Sequence, residues 1–442
     1  MRPHRRRLTR LSCPVLPVPL RPTSSPAAGA TVLHRSATRA GPSTNVLEPT
    51  MEPIDLSYGR TFGNGFPHEF FTWLRANQPV WWHEPTEHTP EGEGFWVVSR
   101  YADVVAMFKD GATFSSAVAG TALADSNAAG IVLNQTDDPQ HRTLRALVNK
   151  GFTPRMIGRL EDDLRIRARQ ILDGVTLGEP FDFLTDVARE LPLQAICSVL
   201  GVPQEDRAEL VEIVDRGVAG ETGEVIAMEY VRQLSAYARK LLADKRENPS
   251  DDILSVIVHA SLEDGSRLDD RELRAFFNLL FPAGAETTRS AIGGAVLKFV
   301  SEPDQYRFLR EDRDRLKVAI EEIVRWTSPS VYKRRTATRD VRLGDAEILE
   351  GQRVTLWEMS ANRDEGVFDE PFRFDVTRDP NPHVGFGLGT HFCLGASLAR
   401  LEMKVMFEAL FERFERFELA GDPRWTNNNR LVGLTNLPVV AH

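Results

Sequence analysis

Gly385-Phe386-Gly387-Leu388-Gly389-Thr390-His391-Phe392-Cys393-Leu394-Gly395 is a glycine-rich loop around a single cysteine, and it runs straight into a helical pattern at Ala396-Ser397-Leu398-Ala399-Arg400-Leu401. Gly387 and Gly389 allow backbone torsions and close approaches that a Cβ forbids, so the loop can lie under a flat cofactor and aim amide hydrogens at the sulfur. The helix that follows points the positive end of its dipole at the same atom. Both effects favour thiolate over thiol, and a thiolate ligates metal. A lone cysteine is more often a small buried hydrophobe, and a glycine-rich loop before a helix can cradle phosphate instead. The phosphate spacing G-x-G-x-x-G fails here, because its last position falls on Thr390 counted from Gly385 and on Phe392 counted from Gly387.

Length and composition set the frame around this loop. The 442 residues are 42% hydrophobic, enough for a substantial core in one large domain or two ordinary ones. A formal charge of -9 argues against a nucleic-acid partner held by bulk electrostatics. Cys13, Cys197 and Cys393 are too few and too scattered for a disulfide framework or a C-x-x-C knuckle, which fits a reducing cytoplasm. No apolar run of about 20 residues is present, so no membrane span is expected. Residues 1–50 are rich in Arg, Pro, Ser and Thr with Glu48 the only acid, and they read as a disordered extension. A targeting segment fits their composition, but Pro14, Pro17 and Pro19 interrupt the amphipathic helix it needs, and Met51 is a candidate start. From Met51 onward helical patterns dominate. The strand-like runs, such as Gly94-Phe95-Trp96-Val97-Val98 and Arg353-Val354-Thr355-Leu356-Trp357, are short. With no internal repeat or linker, 51–442 reads as one mainly α domain with small β-sheets.

Three further stretches carry chemistry-bearing residues. A helix opens on a capping-box pair, Asp269 and Glu272, and runs into Ala283-Gly284-Ala285-Glu286-Thr287-Thr288. Pro282 and Gly284 weaken its ladder, and a kink there makes room for a ligand beside Glu286 and Thr287; the plainer reading is a helix that tolerates two poor residues. Glu322 and Arg325 stand three apart on a helix that should stop before Pro329, and by themselves read as a surface pair worth under about 1 kcal/mol. Asp138-Pro139 is a helix start that places His141 and Arg145 on one face, either a solvated basic face or an anion site.

Phe386 to Gly395 matches F-G-x-G-x-H-x-C-x-G and resembles the haem-ligand signature of the cytochrome P-450 monooxygenases. The match extends to A-G-x-[DE]-T at Ala283–Thr287 and to E-x-x-R at Glu322–Arg325, in the family's order over nearly all of 51–442. The resemblance implies a single-domain cytochrome P-450 fold, haem b, and Cys393 as axial ligand of its iron. It implies that Glu286 and Thr287 relay protons during oxygen activation, and that His141, Arg145, Arg335 and His391 bind the haem propionates. Glu322, Arg325 and an arginine from Pro371-Phe372-Arg373-Phe374 would form a buried charge network under the cysteine loop, with Arg373 preferred over Arg378. Arg142 and Arg400 would face an acidic ferredoxin, itself fed by a ferredoxin reductase, since the chain shows no flavin or iron-sulfur domain of its own. Ala283 to Arg289, Tyr332-Lys333-Arg334-Arg335-Thr336 and Asn362-Arg363-Asp364-Glu365 look like the actinobacterial members that hydroxylate a sterol side chain, branched lipid or terpenoid. Glu365 departs from the proline common there. Pocket shape is expected to depend on 117–131 and 215–230. A peroxide-driven peroxygenase, or a haem-binding sensor or gas carrier, stands as the alternative.

Overall fold

A computed structural model describes residues 51–149, 151–218, 224–262 and 265–442. The first 50 residues, and with them the expected extension, lie outside the described residues, as do 219–223 of the segment expected to shape the pocket. The helical core is arranged about one long helix, Asp270–Ser301. Its start is the expected capping box: Asp269 Oδ1 accepts from the amides of Arg271 and Glu272 at 2.7 and 2.8 Å, and Glu272 Oε2 accepts from the Asp269 amide at 2.7 Å. The helix is apolar almost all round, with Phe276, Phe277, Phe281, Ile292 and Val296 fully buried, as suits an element wrapped by others. Ala283, in the middle of this buried length, is exposed.

Pro282 does not end the helix, and Gly284 serves packing rather than ligand space. A Cβ on Gly284 would come within 2.7 Å of Ile196 Cγ1, a residue of the apolar helix Glu190–Leu200. Two and a half turns further, a Cβ on Gly293 would meet Leu184 at 2.9 Å. The two glycines let the central helix sit directly against its neighbours, and Cys197, next to Ile196, is fully buried core as its apolar surroundings imply.

The main sheet sits apart from this helical core. Its strands are Val80–His83, Phe95–Val98, Arg353–Leu356, Lys333–Ala337 and Phe114–Ser115 in that spatial order, antiparallel except where Phe95–Val98 meets Arg353–Leu356. Phe95–Val98 and Arg353–Leu356 are buried on both faces, which explains why neither reads as an alternating strand. In Lys333–Ala337, side chains of Lys333 and Arg335 leave one face and that of Arg334 the other. Among the described residues no helix is long and apolar enough to cross a membrane.

The close approach at Gly284 is testable. Gly284→Val should destabilise the fold by about 1–3 kcal/mol through overpacking, read as a lower denaturant midpoint, and Ile196→Ala in the same chain should recover part of the loss. Equal midpoints for Gly284→Val and the parent would show that the two helices separate at no cost.

Candidate active site

The cysteine loop is closed by its own backbone. The Cys393 amide donates to the Phe386 carbonyl at 2.8 Å, Gly387 to Val384 at 2.8 Å, and Phe392 to Gly389 at 3.1 Å. Gly387 and Gly389 both have φ of +66°, the left-handed region open to glycine. At Gly389 a Cβ would also lie 2.9 Å from the Phe108 carbonyl oxygen. The helix Ala396–Arg413 starts just beyond, and the Gly395 amide bonds the sulfur. Burial nevertheless pushes the Cys393 thiol up, and the Gly395 amide with the charges of Lys333 and Arg145 does not reverse it. The Gly395 amide and the charges of Lys333 and Arg145 favour the thiolate against that burial, and a coordinating metal would favour it further.

Four basic residues from separate segments gather beside the loop. His141 lies on the helix Gln140–Asn149, fully buried, its ring 4.2 Å from that of His391. Arg145, one turn on, donates to the Thr390 carbonyl at 3.4 Å, and buried Arg335 reaches in from its strand. Neither ring nitrogen of His141 has a hydrogen-bond partner. Burial, then the neighbouring Arg335, His141 and Arg145, takes His391 down to about 3; burial takes Arg335 down to about 10 and also lowers His141. A cluster whose members repel one another and leave buried donors unpaired fits carboxylates set among them.

On the central helix, the Thr287 hydroxyl donates to the Ala283 carbonyl at 3.0 Å. Glu286 is buried and pairs with Arg289 at 2.8 Å. Its charge also bears on Tyr230, whose phenol is pushed up to about 12 by burial first and by Glu286 second.

Glu322 and Arg325 are not a surface pair. Both are fully buried, joined by two bonds of 2.7 Å, and Arg325 also donates to the carbonyls of Asn362, Pro371 and Arg373. The third member is Arg378, whose Nε lies 3.2 Å from Glu322 Oε2. Arg373, preferred from the sequence, supplies only its carbonyl: Phe374 beside it turns into the core, so the Arg373 side chain turns out, 56% exposed, to Glu370. Arg400 is likewise no free cation. Its guanidinium forks onto Glu321 with two bonds of 2.7 Å and stacks over Phe386 at 4.5 Å, while His383 bonds the same carboxylate at 3.0 Å. Arg142, by contrast, is 78% exposed, paired only with Asp138. Sequence reasoning missed the Arg400–Glu321–His383 triad, whose members lie on three segments and share no spacing. It also missed why Glu365 departs from proline: its two carboxylate oxygens accept from Nη2 and Nε of the buried Arg75, at 2.8 and 3.0 Å.

The comparisons agree with this geometry. Residues 168–440 match the family model for Cytochrome P450. A putative cytochrome P450 126 of Mycobacterium tuberculosis is 50% identical over 400 residues, 87% of this chain and 97% of that protein. This chain belongs to the cytochrome P450 family. A steroid C26-monooxygenase of Mycobacterium bovis is 35% identical over 422 residues, covering 92% of this chain and 97% of its own length. The solved structure of cytochrome P450 CYP268A2 from Mycobacterium marinum, in complex with pseudoionone, superposes with a TM-score of 0.80 at 34% identity, covering 88% of this chain and all of that one. The P450 is thus a haem-dependent monooxygenase with the mainly helical single-domain fold of its family, and its cofactor is haem b.

Two measurements check the charge network. Arg378→Met should cost about 2–3 kcal/mol by leaving part of a buried carboxylate unpaired, while Arg373→Met should leave the denaturation midpoint where it was; the reverse order would reinstate Arg373. Burial alone would raise the Glu321 carboxyl, but Arg400 and His383 overcome it and hold it at about 2, below the ordinary 4.5. This stability is fully present above pH 4.5 and is lost as the pH falls toward 2. Glu321→Gln should flatten that acid limb of the stability curve, and an unchanged limb would contradict the triad.

Proposed function

We propose that the P450 hydroxylates a hydrophobic substrate of the sterol side-chain, branched-lipid or terpenoid kind, in the cytoplasm, with electrons from a ferredoxin and ferredoxin reductase. The observation that carries the site assignment is the buried cluster of His141, Arg145, Arg335 and His391 beside Cys393, in which neither His141 nitrogen has a hydrogen-bond partner and only Asp138, 3.8 Å from Nδ1, is near enough to pair. In this reading Cys393 ligates the iron and the four basic residues hold the two haem propionates. Glu322, Arg325 and Arg378 keep the loop in register. When bound, haem supplies the electron uptake and oxygen activation that no side chain here can perform.

Thr287 and Glu286 supply protons. In the present geometry the Thr287 hydroxyl is given to Ala283, so it must turn about χ1 to offer its proton to the cleft, and Glu286 recharges it by loosening from Arg289. The buried residues on either side, Ala285 and Thr288, keep bulk water from short-circuiting that relay. The names of two relatives, a steroid C26-monooxygenase and a structure holding pseudoionone, support the hydrophobic substrate class. Arg142 and the exposed Phe392 support a docking face for the electron donor near the loop.

One pair of variants tests the assignment. Cys393→Ser should abolish the strongly red-shifted Soret band of the reduced carbon monoxide complex. Thr287→Ala should keep that band but lower product per reduced nucleotide by about tenfold or more, with peroxide released instead. Unchanged coupling in Thr287→Ala would remove Thr287 from the relay, and a retained band in Cys393→Ser would remove Cys393 from the iron.

A further inference from the structure

Glu321 stands next to Glu322 on the helix Leu316–Thr327 but binds different partners. Its two oxygens take Nε and Nη2 of Arg400, and one of them also faces Nε2 of His383, whose side chain is 5% exposed. The tautomer of His383 follows from its other nitrogen. Nδ1 lies 3.2 Å from the Gly385 amide, a group that can only donate, so Nδ1 accepts and the ring hydrogen sits on Nε2, aimed at Glu321. Gly385 itself packs on the same helix, where a Cβ would lie 2.8 Å from Val324 Cγ1. The start of the cysteine loop is thus tied to Leu316–Thr327 through His383.

Arg400 carries that tie toward the sulfur. Its guanidinium lies over the Phe386 ring at 4.5 Å, and the rings of His383 and Phe392 stand 5.9 and 6.2 Å from the same ring. Phe386 is therefore held on several sides, and its carbonyl accepts from the Cys393 amide at 2.8 Å. The sulfur in turn receives the Gly395 amide, a bond whose geometry depends on where the Cys393 backbone sits. Hydrogen bonds to a ligating sulfur weaken its electron donation to the metal and so raise the metal's reduction potential.

We propose that Arg400, clamped by Glu321 and His383, is a positioning residue for the axial cysteine: by holding Phe386 it fixes the Cys393 backbone and with it the amide hydrogen bond to the sulfur, and so sets the reduction potential of the iron. Arg400 acts through Phe386 rather than on the sulfur itself. Loosening the clamp weakens the amide bond, the thiolate donates more strongly, and the potential falls. The proposal rests on the haem-thiolate reading above and adds Arg400, Glu321 and His383 to the residues that serve it.

The test is potentiometric titration of the haem-loaded protein, with the reduced carbon monoxide spectrum of each variant recorded alongside. Arg400→Gln and Glu321→Gln change the local charge in opposite directions but loosen the same clamp. Both should lower the reduction equilibrium constant about threefold, on the order of 30 mV for a one-electron couple, while keeping the red-shifted band. Charge acting alone would instead raise the potential in Glu321→Gln, and that result, or an unchanged potential in both, overturns the proposal. Arg400→Lys keeps the charge but not the planar fork and stack, so it should show the same fall, and it decides the matter if Arg400→Gln fails to take up haem. In a Phe386→Leu background the Arg400→Lys shift should shrink about twofold or more; a full-sized shift there overturns the route through Phe386. Absence of the red-shifted band in the parent would bring down the haem-thiolate reading itself, whereas a parent with that band and variants of unchanged potential remove this inference alone.

Discussion

The carboxylate of Glu322 is the point on which the cysteine side of the molecule hangs. It is fully buried, accepts from Arg325, the Asp375 amide and the Asn381 side chain, and is ion-paired with Arg378 at 3.2 Å. A buried charge of this kind is not by itself a source of stability, since desolvation offsets much of the attraction. Its effect is to make one arrangement far better than any other. Arg325, through the carbonyls of Asn362, Pro371 and Arg373, holds the helix Leu316–Thr327 to the chain leading into the loop at Gly385. A slip of either segment would leave several buried polar groups unpaired at once.

On the other side of the loop the electrostatics run the opposite way. Around Glu322 the charges are matched within the protein, whereas His141, Arg145, Arg335 and His391 repel one another and are depressed by burial. Burial raises the Cys393 thiol in the same way.

The central helix links this site to the helical core by contact rather than charge. Gly284 and Gly293 remove the side chains that would hold Ile196 and Leu184 away. That close approach leaves Ala283 and Thr287 as small groups on the face toward the cleft. The glycine in Ala283-Gly284-Ala285-Glu286-Thr287 therefore shapes the site from behind, through the helix it packs on.

Local chemistry made much of this legible in advance. The left-handed glycines about Cys393, the capping box at Asp269 and the one-turn spacing of His141 and Arg145 depend on neighbours in the chain, so residue order alone determined them. The resemblance carried by those residues led to the fold, the haem and the family. What the order could not settle was which of two arginines reaches Glu322, because that turns on Phe374 facing the core and Arg373 facing out. Nor could it reveal the Arg400–Glu321–His383 triad or the grip of Glu365 on Arg75. Each joins residues tens to hundreds of positions apart, and only the packed chain decides which buried charges find partners and which do not.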